Sequence, residues 1–262
     1  MKVVLFCGGL GLRMRDAENR PKPMVHIGSR PLLWHVMKYY AHYGHKDFVL
    51  CLGYGAETIK DYFLGYSECL SNDFILNGGP KGLELLGSDI QDWRITFADT
   101  GINANIGQRL KAVEKYLDGE PEFLANYTDG LSDVPLPQQL EDFHRNGKLA
   151  SFLCVRPNLS YHVVSLAEGG SLVADIHSID NGQVRVNGGF FIFRKQIFEY
   201  LRAGEELVEQ PFQRLIAERQ LLGYAYDGFW ACMDTFKDKQ HLDRLYASGH
   251  PPWQVWKTPA AH

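Results

Sequence analysis

The sequence predicts an α/β protein built on a doubly wound, mainly parallel mixed sheet with a smaller strand-rich carboxy-terminal portion. Three observations carry this expectation. Apolar strand-like runs alternate with helix-period runs from the amino end, a glycine-rich loop follows the first strand, and the chain turns strand-rich after Ala150. Strands joined by helices pair in parallel, and such sheets collect their ligands at the carboxyl ends of the strands.

The elements follow in order. KVVLFC (2–7) reads as a strand, PLLWHVMKYYAHYG (31–44) as a helix, DFVLCLGYG (47–55) as a strand and AETIKDYF (56–63) as a helix, which is a βαβα order. Over residues 67–99 the pattern loosens, with Gly78, Gly79, Pro80, Gly82 and Gly87 interrupting it before WRITFAD (93–99) regains strand character. An insertion, formed as a hairpin, is expected there. Residues 107–117 place Leu110, Val113, Glu114 and Leu117 at helical spacing, and EFLANY (122–127) is a strand entering Thr128, Asp129 and Gly130. Beyond Ala150 come SFLCVRP, YHVVSLA and VNGGFFIFR as strands, then helical stretches at 208–219 and 236–247. A mixed sheet suits this half better than a second doubly wound domain, and the tail after Gly249 is expected to pack irregularly on the body.

Composition narrows the function classes. A chain of 262 residues, 45% hydrophobic and 22% charged, is neither disordered nor fibrous. A net charge of -4 argues against a general nucleic-acid binder, which needs cations to neutralise phosphates. No apolar run reaches the roughly 20 residues of a membrane span, and the chain starts directly on a strand, so a cytoplasmic protein is expected. Cys7, Cys51, Cys69, Cys154 and Cys232 stand singly, without metal-ligand or redox spacing. Cys7, Cys51 and Cys154 end or interrupt apolar runs and read as buried small hydrophobes.

The loop after the first strand is the most informative segment. Gly8, Gly9 and Gly11 let the backbone approach a ligand closely, although their spacing matches neither the dinucleotide fingerprint nor a Walker loop. A tight turn explains the glycines equally well. Arg13, Arg20 and Lys22 add positive charge of the kind that stabilises a polyphosphate, and Pro21 and Pro23 restrict the backbone on both sides of Lys22. Farther along, Asp129 stands at the end of a strand and before a glycine, where a doubly wound sheet presents its ligands, and Asp234 lies in GFWACMDT. Read as residues alone, Asp129 suits a turn and Asp234 suits the cap of a helix beginning near Phe236.

GGLGLR followed by RPKPM and the helix PLLWHVMKYY resembles the amino-terminal signature of the sugar-1-phosphate nucleotidylyltransferases. The resemblance continues through ADTG (98–101), GQRLKAV (107–113), TDG (128–130), VNGGFF (186–191) and GFWACMDTFKDK (228–239), covering nearly the whole chain. Within the family the sequence is similar to the glucose-1-phosphate cytidylyltransferases. The resemblance implies a Rossmann-like nucleotide-diphospho-sugar transferase fold in one domain, with residues 1–150 forming the nucleotide-binding part and 151–262 the sugar-binding and assembly part. It also implies transfer of a nucleotidyl group from CTP to a sugar 1-phosphate, with Mg²⁺ as cofactor and a homo-oligomeric assembly. A dinucleotide oxidoreductase would need a glycine fingerprint and a ribose-binding acid that the spacing lacks.

The resemblance further assigns residues. Asp129 and Asp234 would coordinate Mg²⁺, which prefers oxygen ligands, while Lys22 and Arg13 would contact the triphosphate and carry catalysis. Gly8, Gly9, Gly11, Thr100 and Arg109 would line the nucleotide, Arg109 being an ordinary helix-face residue in the plainer reading. Asn187, Gly188 and Gly189 would lie under the sugar ring unless they form a β-bulge, and Asp227 would contact the sugar.

At one place the chain departs from the family. Relatives carry a Glu-Lys-Pro triplet whose lysine meets the sugar phosphate, whereas this chain has His177, Ser178 and Ile179 there, and no lysine between Lys148 and Lys195. A hydrogen bond to a charged group contributes about 1.5–3 kcal/mol, so a substitute cation, Arg185 or His177, is expected. Another acceptor, another triphosphate, or a nucleotide-binding protein without catalysis are the alternatives.

Overall fold

The computed structural model describes residues 1–9, 20–157, 162–178 and 184–257. In chain order the first half runs β1 (Lys2–Phe6), β2 (His26–Ile27), β3 (Arg30–Pro31), α1 (Leu32–His42), β4 (Asp47–Leu52), α2 (Ala56–Leu64), β5 (Phe74–Leu76), β6 (Leu83–Leu85), β7 (Arg94–Asp99), α3 (Ile106–Val113), β8 (Glu122–Tyr127), β9 (Gly130–Ser132) and α4 (Leu136–Asn146). The second half runs β10 (Ala150–Val155), β11 (His162–Leu166), β12 (Val173–Ser178), β13 (Val186–Asn187), β14 (Phe191–Arg194), α5 (Gln210–Ala217), β15 (Leu221–Tyr226), β16 (Trp230–Cys232) and α6 (Phe236–Ala247).

Alternation along β1 explains the layering. Val3 and Leu5 enter one core with Leu32, Leu33 and Val36 of α1, whereas Val4 and Phe6 enter the other with Leu110 and Val113 of α3 and Leu215 of α5. Because side chains of a strand point alternately to opposite faces, a run apolar at every position must be covered on both sides. β1 pairs in parallel with β4 on one side and β8 on the other, and β4 pairs in parallel with β7. β14 joins β8 antiparallel and leads to β10, which pairs β15 in parallel, so one mixed sheet holds strands from both halves. The chain diverges to either side at β1, and this is the switch point where such sheets open a crevice.

The insertion expected over 67–99 holds the antiparallel hairpin β5–β6, in the register Phe74↔Leu85. The run VNGGFFIFR does not form one strand. It breaks between β13 and β14, where Gly189 and Phe190 take φ of 78° and 48°. Long-range partners hold that break, since Phe190 N donates to Asn126 Oδ1 at 2.9 Å and Gln139 Nε2 donates to Phe190 O at 2.8 Å. α4, β12, β15 and the β9–β16 ribbon are elements that periodicity did not single out. α4 nonetheless carries local signals, Pro137 in its first turn and Gly147 in the left-handed conformation after its end. Cys7 and Cys51 are buried as expected, but Cys154 is only half-buried. The tail docks through Trp253, which is 1% exposed. Among the described residues no helix is long and apolar enough to cross a membrane.

Candidate active site

Lys22 is fixed before its side chain finds a partner. Pro21 takes an extended conformation, Met24 N donates to Pro21 O at 2.8 Å, and Pro23 and Met24 are buried in the turn this closes. Pro21 also packs on Gly55, where a Cβ would stand 2.6 Å from the proline ring. A backbone so constrained leaves Lys22 little freedom except along its own side chain.

A second piece of backbone brings the acids. Thr128 Oγ1 donates to Phe6 O at 3.0 Å, tying the end of β8 to the end of β1. The chain then enters β9, which pairs antiparallel with β16 in the register Cys232↔Gly130, and Met233 N donates to Asp129 O at 2.8 Å. Asp129 and the segment 232–234 are therefore neighbours although about a hundred residues separate them. Met233 is fully buried, so the alternation of an extended chain turns Cys232 and Asp234 to the opposite face.

Lys22 Nζ lies between the two carboxylates, 2.9 Å from Asp129 Oδ2 and 2.5 Å from Asp234 Oδ1. Cys232 Sγ donates to Asp234 Oδ2 at 3.3 Å, and ligand atoms of Asp129, Cys232 and Asp234 all fall within 4.8 Å of one another. Burial disfavours the Lys22 ammonium, but the charge of Asp129 and the hydrogen bonds it donates to both acids outweigh this and raise its pKa above the ordinary lysine value. Burial, followed by the charge of Asp129, pushes the Cys232 thiol up. Among the described groups, one ammonium meets two carboxylates. These oxygen donors fit a divalent cation of the magnesium type, and the ammonium between them shows that the place accepts positive charge. Asp234 does not cap α6. Thr235 does so, accepting from Asp238 N at 3.2 Å while Asp238 Oδ2 accepts from Thr235 N at 2.7 Å, and the aspartate one residue earlier is left to face the cluster.

The foreseen nucleotide residues divide into groups. Arg13 and Gly11 lie outside the described residues. Gly9 is exposed with open space beside it, whereas a Cβ on Gly8 would stand 2.1 Å from the Arg109 guanidinium. Arg109 is only 2% exposed. Its Nη1 donates to Leu52 O at 3.1 Å and Thr100 Oγ1 at 2.7 Å, and its Nη2 donates to Gly8 O at 2.9 Å and Ile102 O at 3.2 Å. Thr100 Oγ1 donates to Leu52 O at 2.7 Å. Arg109 and Thr100 thus knot together the carboxyl ends of β1, β4 and β7, and burial lowers the arginine's pKa from its ordinary value.

Two residues before Cys232 on β16, Trp230 Nε1 donates to Gly188 O at 2.9 Å, and Asn187 Oδ1 accepts from Gly189 N at 2.9 Å. Trp230 belongs to β16, so the segment Asn187, Gly188 and Gly189 is joined to the strand that carries Cys232. Asp227 is clasped by two arginines, Arg156 at 2.9 Å and Arg185 at 3.0 and 3.2 Å. His177 stands on β12, which pairs only with β11 among the described strands, and its Nδ1 meets Asp175 Oδ2 at 3.0 Å. No described contact ties the His177 side chain to the ribbon. Cys232 was not foreseen as a site residue. Its signal was the two-residue spacing to Asp234, visible only once 230–232 is known to be a strand.

No protein-family model matches the chain. Glucose-1-phosphate cytidylyltransferases of Salmonella typhimurium and Salmonella typhi are each 34% identical to it over 261 residues, covering 98% of this chain and 100% of theirs. Among solved structures, a UDP-glucose pyrophosphorylase complexed with UDP-glucose superimposes with a TM-score of 0.68 at 16% identity, covering 95% of this chain and 98% of that one. At that identity the likeness concerns the fold.

Proposed function

The chain belongs to the sugar-1-phosphate nucleotidylyltransferases, and from that premise we propose that it transfers the cytidylyl group of CTP to glucose 1-phosphate. The acceptor's phosphate oxygen bonds to the α-phosphorus, the bond to the β-phosphate breaks, and CDP-glucose and pyrophosphate result. The observation that carries this reading is the meeting of Lys22, Asp129 and Asp234 at one point. Asp129 and Asp234 would hold Mg²⁺, which supplies the positive charge that lets two anions approach and stabilises the leaving pyrophosphate.

The chain's own residues supply the rest. Lys22 gives its ammonium to the triphosphate oxygens, and its proline-bound backbone keeps it aimed at them. Arg109 and Thr100 act one step behind the ligand, holding the β1, β4 and β7 ends so that the Gly8 and Gly9 backbone forms the floor under the nucleotide. Arg185 takes the place of the absent lysine toward the acceptor phosphate, two residues from Asn187 and exchanging Asp227 for the incoming anion. A homo-oligomer is supported by apolar side chains exposed on the two outlying hairpins, Phe74, Ile75 and Leu83 on one and Val164, Leu166 and Ile176 on the other.

Pyrophosphate release, measured with each of the common triphosphates against a panel of sugar 1-phosphates in excess Mg²⁺, tests the proposal. CTP with glucose 1-phosphate is expected to give the fastest release. A faster rate with another pair would reassign the substrates, and no release with any pair would favour a nucleotide-binding protein without catalysis.

A further inference from the structure

We propose that Cys232 is a third protein ligand of the cation site formed with Asp129 and Asp234, and that its sulfur makes this site prefer thiophilic divalent ions to Mg²⁺ when no nucleotide is bound. The inference rests on the reading of the two carboxylates as the cation-holding pair.

Geometry comes first. Ligand atoms of the three residues already lie within 4.8 Å of one another, and Cys232 Sγ contacts Asp234 Oδ2 at 3.3 Å, a separation that two donors on one metal ion adopt. The strand holds them there. Met233 is anchored in the core, so Cys232 and Asp234 share the face opposite to it, and the pairing of Cys232 with Gly130 places that face beside Asp129. Gly130 offers no side chain to screen the sulfur from the site.

Chemistry follows. The two carboxylates and the Cys232 sulfur offer a divalent ion both oxygen and sulfur donors. Binding forms a metal–sulfur bond and releases the S–H proton, now shared with Asp234, to solvent; no electron is transferred. Mg²⁺ is hard, keeps its waters and gains little from sulfur, whereas Zn²⁺ and Cd²⁺ gain substantially. A site for Mg²⁺ alone has no use for a sulfur at this position. The enzyme would therefore be open to competition by zinc-like ions until a triphosphate adds its oxygens and shifts the balance toward Mg²⁺.

The test uses the full chain stripped of metal, in a background where the half-buried Cys69 and Cys154 are replaced by serine. Cd²⁺ is titrated while the ultraviolet thiolate-to-cadmium charge-transfer band is followed, and Cd²⁺ and Mg²⁺ affinities are measured by calorimetry. The expected result is a band that saturates at one equivalent and disappears in Cys232→Ser and Cys232→Ala. Cd²⁺ affinity should fall by about tenfold or more in these variants, with Mg²⁺ affinity nearly unchanged. Retention of the band in both variants, or an equal loss of both ions' affinity, would overturn the proposal. Asp129→Asn separates the two readings. If it weakens both ions while Cys232→Ser changes neither, the carboxylate site stands and the sulfur ligand falls; if it weakens neither, the carboxylate site itself is wrong and the sulfur ligand falls with it.

Discussion

Lys22 and Arg109 are both cations at the carboxyl edge of the sheet, and the fold holds them in opposite ways. Lys22 is 15% exposed and bonds two carboxylates that are themselves 33% and 58% exposed. Arg109 is 2% exposed and spends both of its terminal nitrogens on backbone carbonyls and a threonine hydroxyl. A cation balanced by accessible acids can trade them for a ligand's phosphates, since charge is exchanged for charge. A cation wrapped by neutral carbonyls cannot leave without stranding buried acceptors, so it serves as architecture. Arg185 stands between the two cases. It holds Cys154 O and Tyr226 O with one nitrogen and the exposed Asp227 with the other.

The contrast predicts four effects of decreasing size. Lys22→Ala should lower kcat by about a hundredfold to a thousandfold, as removal of a preorganised charge does, with little change in thermal stability. Pyrophosphate release at saturating substrates together with a melting curve checks this, and wild-type kinetics in the variant would end the assignment of the loop. Arg109→Ala should instead destabilise the fold by about 2–4 kcal/mol through acceptors left unpaired, read from urea unfolding. Gly8→Ala should also destabilise, because its Cβ meets the guanidinium, but should cost far less in the Arg109→Ala background. Additive effects in that double-mutant cycle would show that Gly8 is glycine for another reason. The smallest effect is expected from Arg185→Ala, a rise of about tenfold in KM for the sugar phosphate with kcat nearly kept. A change confined to KM for CTP would remove Arg185 from the acceptor side.

Particular residues show how far the sequence carries. β1 and β4 were readable because each is apolar at successive positions, and the helix at 236–247 has the bounds the sequence suggested. The β9–β16 ribbon was hidden because its strands are three residues each, too short for any period to emerge. The break at Gly188 and Gly189 was visible as two glycines, but Phe190 adopts its positive φ only because Asn126 and Gln139 hold it. The burial of Arg109 was unreadable for a related reason: a helix position says which residues share a face, and not whether three strand ends close over that face.

The amino-acid order fixed the two-sided strands, the prolines flanking Lys22, and the capping box that starts α6 one residue after Asp234, since these depend on interactions across a few residues. It took the folded sheet to bring Lys22 within hydrogen-bonding reach of partners 107 and 212 residues away, and to set Cys232 beside them. No local preference encodes such a meeting. It arises because burying both faces of β1 fixes where β8 ends, and pairing β16 with the strand that follows leaves one place for the acids to stand.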